Sequence, residues 1–165
     1  MAIQTICELF YRSVDTYRKP EHLKYKQDGA WRAVSSEELR AAVEEIAMGL
    51  RAIGVSRGDK VAIVSENRPE WAFADLGTLC AGAADVTIYP TLTAAQGLYI
   101  LDDSESKVVF VSNAIQAAKV ADVRARLPRL QHVVRFDPAP MPGTTSLDEL
   151  RAKGREALAA DRDAV

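Results

Sequence analysis

Residues 59–93 read DKVAIVSENRPEWAFADLGTLCAGAADVTIYPTLT, and this stretch decides the fold. Val61-Ala62-Ile63-Val64 is a short continuous apolar run, the pattern of a strand covered on both faces. Ser65-Glu66-Asn67-Arg68-Pro69 interrupts it. Pro69 suits the first turn of a helix, where its missing N–H costs nothing, and Asn67 is placed to cap that helix. From Pro69 to Ala81 the residues Trp71, Ala74, Leu76, Leu79 and Cys80 give a broad apolar surface. Gly82 lets the chain turn, and Asp85-Val86-Thr87-Ile88-Tyr89 is the next strand. The spacing suits a right-handed crossover between parallel neighbours.

Outward from this unit the same alternation continues. Val108–Val111 and His132–Phe136 are two more strands, so four strands begin near Lys60, Asp85, Lys107 and Gln131, with a helical pattern in each gap. Thr93 to Gln96 is a capping box opening one helix, and Asn113 caps another that Pro128 stops. Upstream, Ser35 and Glu38 make a capping box for a helix with Leu39, Val43, Ile46, Leu50 and Ile53 on one stripe, ended by Gly54. Asp28-Gly29 between Leu23–Lys26 and Trp31–Val34 signals a hairpin. Thr5 to Tyr17 has a helical period. Asp137 to Thr145 is a surface loop, Ser146 starts a last helix, and Arg155 to Val165 reads as a frayed, charged tail. The expected fold is α/β: a parallel sheet flanked by helices, with a small N-terminal helix and β-hairpin. It divides into residues 1–35 (helix and hairpin), 36–136 (β-α core) and 137–165 (loop and helix).

A chain of 165 residues can bury a sizeable core. It is 48% hydrophobic and 27% charged, with net charge −2, an ordinary globular composition. The interspersed charges offer no basic stripe for nucleic acid. No apolar run approaches the ~20 residues that span a bilayer, and the first residues show no secretory pattern. Two cysteines, Cys7 and Cys80, lie far apart in sequence inside expected helices. They read as buried structural thiols in a reducing, cytoplasmic setting.

Few residues suggest chemistry on their own. No glycine-rich phosphate loop follows any of the four strands. Gly143-Thr144-Thr145 lacks the flanking residues of one. His22 and His132 are isolated, without metal-ligand spacing. Trp31 and Trp71 read as core anchors, and Arg68 as the partner of Glu66 or Glu70. A receiver-like domain is disfavoured, because Ser65, Tyr89 and Ser112 stand where clustered acids belong.

Gly54-Val55-Ser56-Arg57-Gly58-Asp59-Lys60-Val61-Ala62-Ile63, Ser65-Glu66-Asn67-Arg68-Pro69-Glu70-Trp71, Ala81-Gly82-Ala83 and Ile88-Tyr89-Pro90-Thr91 together resemble the N-terminal region of AMP-forming acyl-CoA synthetases. The Ser-Glu-Asn-Arg-Pro-Glu-Trp wording is most similar to the long-chain fatty acid branch. The resemblance runs over nearly the whole chain. It implies part of a fatty acid–CoA ligase that uses ATP, Mg and CoA. The segments the family needs for chemistry are a phosphate loop, a magnesium-holding carboxylate and a mobile lysine-bearing domain, and none is present. The chain is therefore expected to stop just ahead of its active site, to be inactive alone and to supply no catalytic or metal-binding residue. Its expected partners are the downstream part of the same enzyme, a second copy and, in the complete enzyme, a fatty acid. Its expected setting is cytoplasmic, peripheral to membrane in the complete enzyme. Resemblance places Tyr89-Pro90-Thr91 near the CoA nucleotide, and this turn sits at the strand edge where open α/β sheets bind ligands. The alternative reading is a standalone, non-catalytic binding or assembly module.

Overall fold

A computed structural model describes residues 3–160. Five parallel strands form the central sheet in the order β4-β3-β5-β6-β7. They are β3 (Lys60–Val64), β4 (Ala84–Ile88), β5 (Val108–Val111), β6 (His132–Arg135) and β7 (Thr145–Ser146). Val61, Ala62, Ile63 and Val64 of β3 pair with Val108 to Val111 on one side and with Asp85 to Ile88 on the other. Central placement explains the unbroken apolar run: β3 has neighbours along both edges and helices on both faces. The two-residue β7, which pairs Thr145 with Val134, is too short to carry a periodic signal, so its residues read as loop and helix start. Arg135 holds it in place by donating from Nη1 to the carbonyl and hydroxyl oxygens of Thr144, at 3.3 and 3.1 Å.

Side chains alternate across the sheet. Val61, Ile63, Val108, Phe110 and Val134 enter a core with α2 (Ser36–Ala52), α3 (Pro69–Cys80) and α6 (Leu147–Ala160). Ala62, Val64, Val109, Val111 and Val133 enter a second core with α4 (Ala94–Asp103) and α5 (Ala114–Val123). The capping boxes at Ser35/Glu38 and Thr93/Gln96 both form, and Asn113 caps α5. Helix α5 ends earlier than Pro128 requires, passing into a 3-10 turn at Arg124–Arg126. Helix α6 does not fray at Arg155. It remains helical to Ala160, pinned because Arg151 Nε and Arg155 Nη1 both reach Glu45 Oε2, at 2.7 and 2.9 Å. The rest of the expected tail lies outside the described residues.

Helix α1 (Ile6–Tyr17) and the hairpin β1 (Leu23–Gln27)–β2 (Ala30–Val34) rest on α2 and α3 rather than on the sheet. Phe10, Val14, Val34, Leu39 and Val43 form this third cluster. The hairpin turn has Asp28 at φ 50° and Gly29 at φ 79°, the backbone that Asp-Gly favours.

Four expectations about particular residues change. Trp31 is not a core anchor. It projects from the hairpin 70% exposed, because β1–β2 is a two-stranded ribbon with only one covered side. Trp71 is half-buried at the margin of the first core. Helix α3 takes its cap at Arg68, through extended backbone and with no side-chain bond, so Asn67 does not cap it. The cysteines also depart from expectation: both are half-buried.

Candidate functional site at the carboxyl edge of the sheet

All strands of the central sheet run the same way, so the segments after β3, β4, β5 and β6 gather along one edge. After β3 comes Ser65 to Arg68. Arg68 is the fastener here. Its Nε donates to Glu70 Oε2 at 2.7 Å, and its Nη1 donates to Asp137 Oδ1 at 3.0 Å and to the Ser112 carbonyl at 3.3 Å. The guanidinium lies 5.7 Å from the Phe136 ring centre. The Glu70 hydrogen bond, followed by Asp137, pushes its pKa up against the opposing effect of burial. One charge thus ties together the ends of β3, β5 and β6, and its partner is Glu70, not Glu66.

Glu66 remains available to solvent. Burial works to raise its pKa, but the hydrogen-bond donors around it outweigh that and hold the carboxyl below its ordinary value. One of those donors is Asn113 Nδ2, at 3.4 Å.

The turn after β4 carries Tyr89, Pro90 and Thr91. It closes by a bond from the Leu92 N–H to the Tyr89 carbonyl at 3.1 Å, and the capping box of α4 follows at once. Tyr89 is 77% exposed. Two residues of α5 grip this turn. Lys119 Nζ donates to the carbonyls of Pro90 and Leu92, at 2.7 and 2.8 Å, and Gln116 Nε2 donates to Pro90 at 3.2 Å. An ammonium has three donors, so one remains for a ligand. Lys119 makes no ion pair among the described residues. The buried Gln116 Oε1 has no protein partner.

Tyr89 stands as a ridge between two hollows. One, a solvent-open depression of about 480 Å³, is bounded by Ser65, Glu66, Asn67, Trp71 and Thr91. The other is a narrow, mostly apolar crevice of about 20 Å³ between α4 and α5, with Leu92, Gly97, Gln116 and Lys119 at its walls. An exposed aromatic face, a cation with a spare donor and an unpaired acceptor suit a nucleotide: the ring can stack on a base and Lys119 can meet a phosphate.

Tyr89, Pro90 and Thr91 form this turn, and Gln116 and Lys119, which the sequence reading did not single out, stand against it. Their only signal was two long polar side chains three residues apart on a helix whose Ile115, Val120 and Val123 suggest packing. The other sequence candidates fall away from this edge. Gly143 takes a turn at φ 72°, Thr144 donates back to Met141 at 2.8 Å, and Thr145 joins β7, so that triplet is structural. His22 Nδ1 bonds Ser36 Oγ at 2.8 Å, which is a packing role. Among the described residues no group of three or more His, Cys, Asp or Glu is placed to hold a metal, and no helix is long and apolar enough to cross a membrane.

The sequence profile described as AMP-binding enzyme matches residues 10–164. The chain belongs to the AMP-binding enzyme family. Two curated relatives are long-chain-fatty-acid–CoA ligases. The long-chain-fatty-acid–CoA ligase FadD15 of Mycobacterium bovis is 35% identical over 137 residues, covering 82% of this chain and 22% of that protein. The long-chain-fatty-acid–CoA ligase ACSBG1 of Rattus norvegicus is 29% identical over 164 residues, covering 98% and 23%. Among solved structures, acetoacetyl-CoA synthetase from Streptomyces lividans superposes with a TM-score of 0.79 at 28% identity, over 88% of this chain and 24% of that one. The anthranilate CoA ligase AuaEII, in complex with anthranoyl-AMP, reaches 0.82 at 20% identity, over 92% and 29%, and at that identity the likeness shows the fold alone. The chain thus spans about a quarter of the length of the family members it matches.

Proposed function

We propose that this chain is the N-terminal portion of a long-chain fatty acid–CoA ligase, which joins a fatty acid to CoA at the expense of ATP, forming AMP and diphosphate. In this reading the carboxyl edge of the sheet is a platform for CoA. Tyr89 offers its ring to the base, Pro90 and Thr91 shape the turn, and Lys119 meets a phosphate with its spare donor. CoA, when bound, supplies the thiol that accepts the acyl group. The observation that carries the assignment is the Lys119 ammonium, held at the turn by two carbonyls with no carboxylate against it.

The residues described do not fit the other half of the reaction. Their phosphate-loop candidate is folded into β7, and they present no cluster of acids for magnesium. In this reading ATP and Mg are held by other segments of the complete ligase, and the isolated chain is expected to activate no acid. The open edge of β4 and the exposed Ile6, Leu9 and Tyr17 of α1 support association with the downstream part of the same enzyme, or with a second copy in its absence. Cytoplasmic placement at the periphery of a membrane goes with a long-chain substrate.

A chimera tests the proposal. This chain replaces the matching segment of the Mycobacterium bovis ligase, and two half-reactions are measured with palmitate: ATP–pyrophosphate exchange and CoA-dependent thioester formation. Both should survive in the chimera. Lys119→Ala in it should raise KM for CoA by roughly 10–100-fold, as expected for a lost charge-assisted hydrogen bond, and leave exchange intact. An inactive but folded chimera overturns the ligase reading. An unchanged KM for CoA overturns the role of Lys119.

A further inference from the structure

We propose that Cys7 and Cys80 form an oxidation site, at which a peroxide converts the two thiols into an intramolecular disulfide joining α1 to α3. They are the two cysteines of the whole chain, and the fold brings them to one place. Cys7 lies in the first turn of α1, one turn ahead of Phe10 and Tyr11 and so on the same face. That face packs into the third core cluster. Cys80 is the last residue of α3 and packs against the same cluster from the other side, beside Tyr11. Cys7 is near enough to Cys80 to be the neighbour that, after burial, acts most on its titration, and Cys80 packs against the cluster that holds Phe10 and Val14 of α1. The half-buried Tyr11 hydroxyl, which has no hydrogen-bond partner of ordinary geometry, lies against Cys80. Both cysteines are free and both are half-buried, so a small oxidant reaches them and a bulky one is hindered. The platform proposed for CoA uses neither.

The order of events follows from the surroundings. Burial, and then the neighbouring Cys7, push the Cys80 pKa up to about 12, so Cys80 is a protonated thiol at neutral pH and the first attack falls to Cys7. The Cys7 sulfur attacks the O–O bond of hydrogen peroxide, takes one oxygen as a sulfenic acid and releases a water. The Cys80 sulfur then displaces that hydroxyl. The S–S bond forms, and the hydroxyl leaves with the Cys80 proton as a second water. Two thiols have lost two electrons, and one peroxide has been reduced to water. A disulfide needs Cβ atoms about 3.5–4.5 Å apart. Thiols borne by helices that pack against one cluster approach this by rotamer change and a small slide of α1, a helix that rests on other helices and not on the sheet.

The test uses the full chain, treated with hydrogen peroxide and, in a parallel arm, with diamide. Free thiols should fall from two to none, a non-reducing peptide map should join the Cys7 and Cys80 peptides within one chain, and reduction should restore both thiols. Closing so long a loop should raise the urea midpoint by roughly 1–2 M. Bond formation should run at least about tenfold faster in native protein than in 8 M urea, where the fold no longer places the pair. Cys80→Ser should strand Cys7 as a sulfenic acid that dimedone labels, and Cys7→Ser should leave Cys80 reduced. Two surviving thiols in the oxidised native protein, bonds formed only between chains, or equal rates in native buffer and urea each overturn the proposal.

Discussion

On one face of the central sheet, α2 and α6 meet backbone to backbone. On the other, Leu98 and Leu101 of α4 pack with Val120 and Val123 of α5. Glycines record the difference. A Cβ on Gly154 of α6 would run into the Glu45 carbonyl of α2, with the carbonyl carbon 2.6 Å away, and one on Gly49 of α2 would strike the Leu150 carbonyl of α6. A Cβ on Gly77 of α3 would sit 2.5 Å from Ile46 Cγ2. Gly97 of α4, on the opposite face, would meet nothing within 4 Å. The first face is locked by shape and holds the fold. The second has open space at its one helical glycine, Gly97, and it bears the turn gripped by Lys119. Rigidity and proposed function have been assigned to opposite sides of the same five strands.

The sharpest way to break this contrast is Gly154→Ala. Its methyl meets main chain, which cannot rotate away, so the loss should be about 3 kcal/mol or more, a large part of the ~5–15 kcal/mol a domain has. A urea melt reads it, and a loss below about 1 kcal/mol would mean that α2 and α6 part easily. Trp71→Ala probes the margin of the same face. A fully buried ring costs ~3–5 kcal/mol. Because Trp71 is half-buried, about 2 kcal/mol is expected by the same melt.

Asp75 gives a smaller effect with a pH signature. Burial first, and then the charge and hydrogen bond of Asp85, push its pKa from 3.8 up to about 6. The folded chain therefore keeps a proton that the unfolded chain releases between about pH 4 and 6. Raising pH through that window should lower stability, and Asp75→Asn should flatten the dependence. Melts at pH 4.5 and 7 compare the two, and an unchanged slope in the variant would remove the pair as its source. The smallest effect belongs to the second face: Gly97→Ala should stabilise by roughly 0.5–1 kcal/mol by relieving helix entropy. A destabilising result would show that α4 is as tightly held as α6.

The parallel core was legible because β3 and β5 are short apolar runs and three helices have a written cap, at Ser35, Thr93 and Asn113. What the sequence could not show is contact at a distance. Gly49 and Gly154 look like weak points in their helices until they are seen facing one another's helix. Trp31 reads as core because size suggests burial, yet a two-stranded ribbon has only one side to cover. Tyr89-Pro90-Thr91 was visible as a strand end. Lys119 was not, since its meaning comes from two carbonyls contributed by another element. Arg68 was read as a local pairing, whereas one of its partners, Asp137, lies across the sheet.

The meeting of α2 with α6 also sets a timetable. The α4–α5 face is made from neighbours in the chain, so little loop entropy opposes it. The α2 groove waits for a helix encoded roughly a hundred residues later. During synthesis α2 must stand with Gly49 uncovered until Leu150 has left the ribosome, a period in which its apolar stripe is exposed to proteases and chaperones. Nascent chains stalled before Leu147 should lose α2 to a protease while α4 and α5 survive, and protection of α2 should arrive abruptly with the last helix.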